Sequence, residues 1–229
     1  MSQLYIVATP IGNLGDITFR AIETLKEVDF IAAEDTRHTK RLVDKYEIDT
    51  KLVSFHAQSS EAKTMALIER LKKGETAALV SDAGTPCVSD PGFRLVKLAS
   101  EQGIDVIPIP GASALTTLIS ASGFPTDTFT FHGFLPHKKG RQTLVKSFKD
   151  AEHCQVVYES VHRFGKLLKE LAEHVDADRS ICVGRELTKM HEEIWRGTVA
   201  QAQAYFNESN TKGEFVVIVA PAKFCYATT

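Results

Sequence analysis

Residues 80 to 92 read Val80-Ser81-Asp82-Ala83-Gly84-Thr85-Pro86-Cys87-Val88-Ser89-Asp90-Pro91-Gly92, combining carboxylates, hydroxyls and glycines without any Lys or Arg. That donor set suits a ligand with ammonium and hydroxyl groups and is a poor cradle for phosphate. The stretch follows an apolar run, Thr76-Ala77-Ala78-Leu79-Val80, and precedes an amphipathic helical pattern. A strand, a Gly/Pro-rich loop and a helix in that order form the ligand-binding end of open α/β sheets. Asp90 followed by Pro91 reads as a helix N-cap with proline in the first turn. Capping leaves Asp82 and Gly84 unexplained.

A second group, Glu34-Asp35-Thr36-Arg37-His38, stands at another strand-to-helix junction. Its side chains are of the kinds that move a proton or stabilise charge, although Asp35 or Thr36 would also cap the helix. Pro110-Gly111-Ala112-Ser113-Ala114 ends a further strand. Its small residues allow close approach of a ligand or of a packed helix. Tyr158-Glu159-Ser160-Val161-His162-Arg163 spans a later junction, with Ser160 placed as N-cap and Glu159, His162 and Arg163 expected to face a cleft or solvent. Arg185-Glu186-Leu187-Thr188-Lys189 ends the next strand, where charges are normally solvated. From 132 to 149 the chain carries Lys138, Lys139, Arg141, Lys146 and Lys149 with no acid, interleaved with Phe134 and Phe148. Cations with aromatic rings suit single-stranded nucleic acid. The same pattern also describes a solvated helix with a core-side phenylalanine.

Several classes are disfavoured. No G-x-x-x-x-G-K-[ST] occurs, which argues against a P-loop NTPase. The first strand is followed by Thr9-Pro10-Ile11-Gly12-Asn13-Leu14-Gly15-Asp16 rather than G-x-G-x-x-G, and its proline removes a backbone donor. A net charge of -2 on 229 residues gives no global attraction to nucleic acid, so such binding must be local. The 4 cysteines form no C-x-x-C and the 8 histidines no H-x-x-x-H, so metal spacing is absent. No apolar run reaches the ~20 residues of a membrane span, and no basic n-region precedes the first strand. A cytoplasmic protein without metal is expected.

The elements that must position these groups alternate regularly at first. Nearly continuous apolar runs at 4–8, 30–33, 52–55, 77–80 and 106–109 predict strands covered on both faces. Helical patterns separate them: Phe19, Ile22 and Leu25; the segment 36–46; Met65, Ile68 and Leu71 before Gly74; and one ending at Glu101-Gln102-Gly103. That alternation predicts a parallel sheet with helices on both faces. Past Gly123 and Pro125 the rhythm changes, with strands expected at 128–134, 155–158, 181–185, 193–197 and 214–220 and helices at 141–149, 161–174 and 199–206. No helix separates the strands at 181–185 and 193–197, so this sheet should be mixed. The expected domains are 1–122 and 123–229.

Taken in order, TPIGNLGDIT (9–18), AAEDTRHT (32–39), VSDAGTPCVSDPG (80–92), GFLP (133–136), YESVHR (158–163), RELTK (185–189) and GEFVVIV (213–219) span nearly the whole chain. With these motifs it resembles the tetrapyrrole-methylase superfamily of S-adenosylmethionine methyltransferases and, within it, the branch of ribosomal RNA small-subunit methyltransferases. The resemblance implies a two-domain α/β fold, a homodimer, and S-adenosylmethionine in a cleft between the domains. Residue by residue it implies cofactor contacts at Ser81, Asp82, Thr85, Ser113, Ala114, Glu159 and Leu187, with Pro10 and Gly12 at the mouth; the contact at Ser113 is expected through backbone. It implies 2′-O-methylation of a cytidine in small-subunit ribosomal RNA, free or in the assembled subunit. That branch commonly continues into a basic helical tail. Residues 222–229 here are nearly uncharged, which implies either weaker RNA docking through that region or a shortened form of the chain.

The reading is thus a ribose methyltransferase in which positioning is the largest contribution. A ribose hydroxyl is a weak nucleophile, so a base or cation near it should help. Glu34, Asp35, Arg37, Glu159 and Arg163 are the candidates, and Lys138, Lys139 and Arg141 are the expected phosphate contacts. One rival is a superfamily enzyme acting on a small molecule such as a tetrapyrrole, against which the basic stretch argues. Another is a non-catalytic RNA-binding module with a vestigial cleft.

Overall fold

Apolar runs without alternation become strands of a parallel sheet when helices cover both faces. The computed structural model describes residues 2–208 and 213–225. In its first unit, Met1–Ser113, the strands are β1 (Gln3–Val7), β2 (Phe30–Ala33), β3 (Leu52–Ser54), β4 (Thr76–Val80) and β5 (Asp105–Ile109). They form one sheet in the order β3-β2-β4-β1-β5, with every pairing parallel. The helices are α1 (Phe19–Glu27), α2 (Thr36–Lys45), α3 (Glu61–Lys72) and α4 (Phe93–Glu101).

Strand β2 shows how both faces are used. Phe30 and Ala32 pack with Ile68, Leu71 and Leu95 of α3 and α4, whereas Ile31 and Ala33 pack with Leu25, Leu42 and Val43 of α1 and α2. Full burial of each large apolar side chain contributes about 1.5–3 kcal/mol. Caps define the helix starts: Thr18 accepts from the Ala21 N–H, Asp35 from Arg37 and Ser60 from Lys63. Helix α4 departs from the expected cap. It begins at Phe93 after Gly92, whose φ of 141° no L side chain adopts easily, and no side chain caps it.

The second unit, Ala114–Thr229, holds α5 (Ala114–Ser122), β6 (Phe129–Phe134), α6 (Arg141–Ser147), β7 (Cys154–Ser160), α7 (Val161–His174), β8 (Ser180–Arg185), β9 (Glu193–Thr198), α8 (Val199–Glu208) and β10 (Glu214–Val219). Its sheet runs β6-β7-β10-β8-β9. Only β6 and β7 pair parallel; the remaining pairs are antiparallel, so the sheet is mixed as expected. One face buries Val145 and Phe148 of α6 and its C-cap, Phe164 and Leu168 of α7, and Phe206 of α8. The other carries α5, which packs on β8, β9 and β10. The units divide after Ser113, one helix earlier than the punctuation at Gly123 and Pro125 indicates, because α5 covers the second sheet.

Candidate functional site

Ligands bind open α/β sheets at the carboxyl ends of strands where neighbouring connections leave for opposite faces. In the first sheet β2 leads to α2 on one face and its neighbour β4 leads, through the 81–92 loop, to α4 on the other. The loops at this edge are held to one another. Thr9 after β1 and Gly84 after β4 exchange backbone hydrogen bonds of 2.9 and 3.0 Å, and the Thr9 hydroxyl donates to the Ser81 carbonyl at 3.1 Å. Gly84 has a φ of 80°, and a Cβ there would lie 3.4 Å from Ile11 Cγ2 and 3.7 Å from the Ala112 carbonyl. Its missing side chain lets the loops after β1, β4 and β5 converge. The Thr85 hydroxyl donates to that same Ala112 carbonyl at 3.3 Å, and Ala8 approaches so closely that a Cβ on Gly111 would stand 3.0 Å from its own.

The carboxylates of the second and first motifs meet here. Asp82 Oδ1 accepts the Asp35 N–H at 3.0 Å, and Glu34 Oε2 accepts the Asp82 N–H at 3.4 Å. The Asp82 side chain remains 42% exposed. Burial raises the Glu34 pKa; the Asp82 N–H opposes that and the Asp82 charge adds to it. Asp35 goes the other way, because hydrogen bonds from the Arg37 side chain and backbone hold its carboxylate ionised well below the usual range. Its Oδ1 accepts Arg37 Nε at 3.1 Å and its Oδ2 accepts Nη2 at 2.7 Å. Asp35 is therefore a cap and ion-pair partner, and Glu34 is the better proton acceptor of the two. Ser81 is buried, with its hydroxyl 3.3 and 3.4 Å from the Ala83 and Gly84 carbonyls, while Pro10 is buried and Gly12 exposed in the loop after β1.

Asp90 does not take the capping place that its sequence position indicates. Burial pushes its carboxyl up to about 6, opposed by a hydrogen bond from Ser81 and reinforced by the Glu34 and Asp82 charges. It thus belongs to the strand-end carboxylate group and does not cap α4. Pro91-Gly92 was the available signal, since a glycine at the helix start breaks the pattern of a cap followed by proline. A Cβ on Gly92 would stand 2.6 Å from Cys87 Sγ and 2.8 Å from Leu79 Cδ2. Cys87 and Ser89 have φ of 70° and 65°, a conformation that costs non-glycine residues about 1–3 kcal/mol. Burial and the Asp90 charge push the Cys87 thiol up, which disfavours a thiolate nucleophile.

In the second unit the structure gives several residues other work than their motifs indicate. Arg141 is 1% exposed, and it is not a surface phosphate ligand. Its Nη1 donates to Glu159 Oε2 at 2.8 Å and its Nε to Glu170 Oε2 at 2.7 Å. Glu159, also 1% exposed, faces neither cleft nor solvent. Its Oε1 forms an ion pair with Arg163 Nε at 2.9 Å and accepts the Ser160 N–H at 2.9 Å. Arg163 Nη1 in turn donates to the Leu135 carbonyl at 2.9 Å. These ionic groups clamp the start of α7 to the chain after β6. Ser160 is the N-cap residue of α7, but its side chain makes no capping bond. Phe148 is core, whereas Phe134, Lys138 and Lys139 are exposed. Leu187 is buried beside Gly184 on the face that carries α5, and Ala114 begins that helix. Lys189 is held by Glu186 and Glu214, each at 2.9 Å. Among the described residues no group of three metal-ligating side chains assembles, and no helix is long and apolar enough to cross a membrane. Of the expected uncharged tail, residues 226–229 lie outside the described residues.

Residues 3–203 match the family of Tetrapyrrole (Corrin/Porphyrin) Methylases. A protein named Ribosomal RNA small subunit methyltransferase I from Synechocystis sp. is 50% identical over 223 residues, covering 97% of this chain and 80% of that protein. Its namesake from Thermotoga maritima is 44% identical over 220 residues, covering 96% and 99%. Among solved structures, diphthine synthase superposes with a TM-score of 0.74 at 15% identity, covering 96% of this chain and 90% of its own. A uroporphyrin-III-C-methyltransferase from Thermus thermophilus gives 0.68 at 17%, covering 97% and 96%. At such identities the structural likeness speaks for the fold alone.

Proposed function

The chain belongs to the tetrapyrrole (corrin/porphyrin) methylase family, and from that premise we propose that it is an S-adenosylmethionine-dependent methyltransferase of small-subunit ribosomal RNA. The observation that carries this reading is the likeness, over 97% of the chain, to a protein named for that activity. It favours RNA over a tetrapyrrole as the acceptor and a working enzyme over a bare binding module.

The residues present fit the cofactor. Side-chain-free backbone at Gly84 and Gly111 brings three strand-end loops together, and the groups offered there are carboxylates and hydroxyls without a phosphate-binding cation. When bound, S-adenosylmethionine supplies a methyl group on a sulfonium for in-line transfer to a ribose 2′-oxygen. Asp82 and Thr85 offer side-chain contacts, and Ser81, Pro10, Gly12 and Ser113 shape the loops around them. Ala114 and Leu187 serve in the second unit, where Glu159 contributes no free carboxylate. Among the sequence candidates, Glu34, with its raised proton affinity, is better suited than Asp35 to take the hydroxyl proton. Arg37 is bound to Asp35 and Arg163 to Leu135 and Glu159, so both act as positioning residues. Lys138 and Lys139 meet RNA phosphates.

In this reading the enzyme is a cytoplasmic homodimer, and its product is a 2′-O-methylcytidine in an exposed single strand. The test is transfer of labelled methyl from S-adenosylmethionine to small-subunit RNA, free or in subunits, from a strain lacking the protein. Alkali should leave the chain uncut at the labelled nucleotide, since cleavage needs a free 2′-hydroxyl. Alkaline cleavage there, or no transfer to either form of RNA, would overturn the assignment.

A further inference from the structure

We propose that the ring of Phe134 is the surface on which a base of the RNA substrate stacks; this rests on the RNA methyltransferase reading above. The first observation is a bulge in β6. Phe131 stands opposite Val156 and Phe134 opposite Tyr158, so His132 and Gly133 together face Val157 alone. Gly133 takes a φ of 62°, which supplies the left-handed residue such a bulge needs. In a regular strand residues 131 and 134 would point to opposite faces. The extra residue turns Phe134 back to the face of Phe131, and both rings meet Tyr158 edge-on at centroid distances of 4.9 and 5.6 Å.

That face is the one given to the cofactor in this unit. The Leu115 N–H at the start of α5 donates to the Tyr158 hydroxyl oxygen at 3.1 Å. A Cβ on Gly184 would meet Leu118 at 2.8 Å and Leu187 at 3.1 Å, which sets both leucines over the same sheet face. Phe134, a residue 54% exposed, therefore shares a surface with Ala114 and Leu187. The ring is not a scattered single residue, because it continues an aromatic cluster with Phe131 and Tyr158, and a contiguous apolar patch is what marks an interaction site.

Charge identifies the occupant. Residues 128–149 include no Asp or Glu, and Lys138 and Lys139 are exposed, with no ion-pair partner among the described residues. The loop between Phe134 and these lysines is fixed at both ends, by Arg163 on the Leu135 carbonyl and by buried Arg141 on Glu159 and Glu170. A pre-set loop lowers the ordering cost of binding. An aromatic face beside lysines is the arrangement that binds single-stranded nucleic acid by stacking and phosphate contact.

The experiment uses the full chain with small-subunit RNA from a strain lacking the protein. Phe134→Ala should weaken RNA binding and raise KM for RNA by roughly 5- to 150-fold, while calorimetry shows S-adenosylmethionine affinity unchanged. Phe134→Trp should recover the RNA affinity that Phe134→Ala loses and should lose tryptophan emission when RNA is added, beyond any change from Trp195 in the parent. Unchanged RNA affinity in the Ala variant would overturn the proposal. So would an equal loss of cofactor affinity, or a change of oligomeric state as the sole effect, which would assign the ring to the cofactor pocket or to a subunit contact. Wild-type protein that neither binds nor methylates the RNA would instead defeat the functional reading on which this rests.

Discussion

A carboxylate in the β4–α4 loop can cap a helix, join one loop to another, or meet a ligand, and the two aspartates there divide these tasks. Asp82 joins β4 to the start of α2 through the Asp35 N–H and keeps part of its side chain open. A hydrogen bond to a charged group contributes about 1.5–3 kcal/mol. Asp82→Asn should therefore weaken S-adenosylmethionine binding roughly ten- to hundred-fold, read by calorimetry on protein with native circular dichroism. Asp90 makes a pH prediction. Unfolded, it titrates near the ordinary value of about 3.9; folded, it titrates at about 6. The folded protein thus binds more protons between those values, and this residue's contribution to stability falls as pH rises through them. Asp90→Asn should show a Tm above wild type at pH 7.5, with the gap closing as pH drops toward 4. A gap independent of pH would mean that Asp90 titrates normally.

At the scale of elements, the ion pairs beneath β6, α6 and α7 decide the local shape. Arg141 joins α6 to β7 and α7 through two acids that are themselves buried. Removing one partner of such a group leaves uncompensated charge inside and costs about 3–5 kcal/mol. Arg141→Ala should lower the urea midpoint sharply, with that loss of stability as its first effect. A variant of native stability that bound RNA less well would restore Arg141 to the phosphate contacts. The spacing of Lys138, Lys139 and Arg141 does not separate these roles. Only the turn between Gly140, in the left-handed conformation, and the start of α6 sends the arginine inward.

At the scale of the whole molecule, a ligand that binds only the folded chain stabilises it by mass action. S-adenosylmethionine at a hundred times its Kd should add about 2.7 kcal/mol. For a chain of this size that corresponds to a Tm rise of roughly 5–10 °C. An unmoved transition at saturating concentration would contradict binding to the native fold. The rise should shrink in Asp82→Asn at the same concentration and persist in Phe134→Ala.

The sequence by itself determined the number and kind of strands. Apolar runs buried on both faces specify parallel strands, and the absence of a helix between β8 and β9 marks the mixed sheet. The strand-end loops were legible for the same reason, since their glycines and carboxylates stand where strands stop. Tertiary structure alone decided that Glu159 and Arg141 face inward, that Asp90 joins Glu34 and Asp82, and that α5 belongs to the second sheet. It also turned Phe134 to the face of Tyr158 through a single extra residue in β6. The physical reason is common to all four. Strand and helix periods are local properties of a chain, whereas burial, desolvation and the partner of a charge depend on which distant segments arrive beside it.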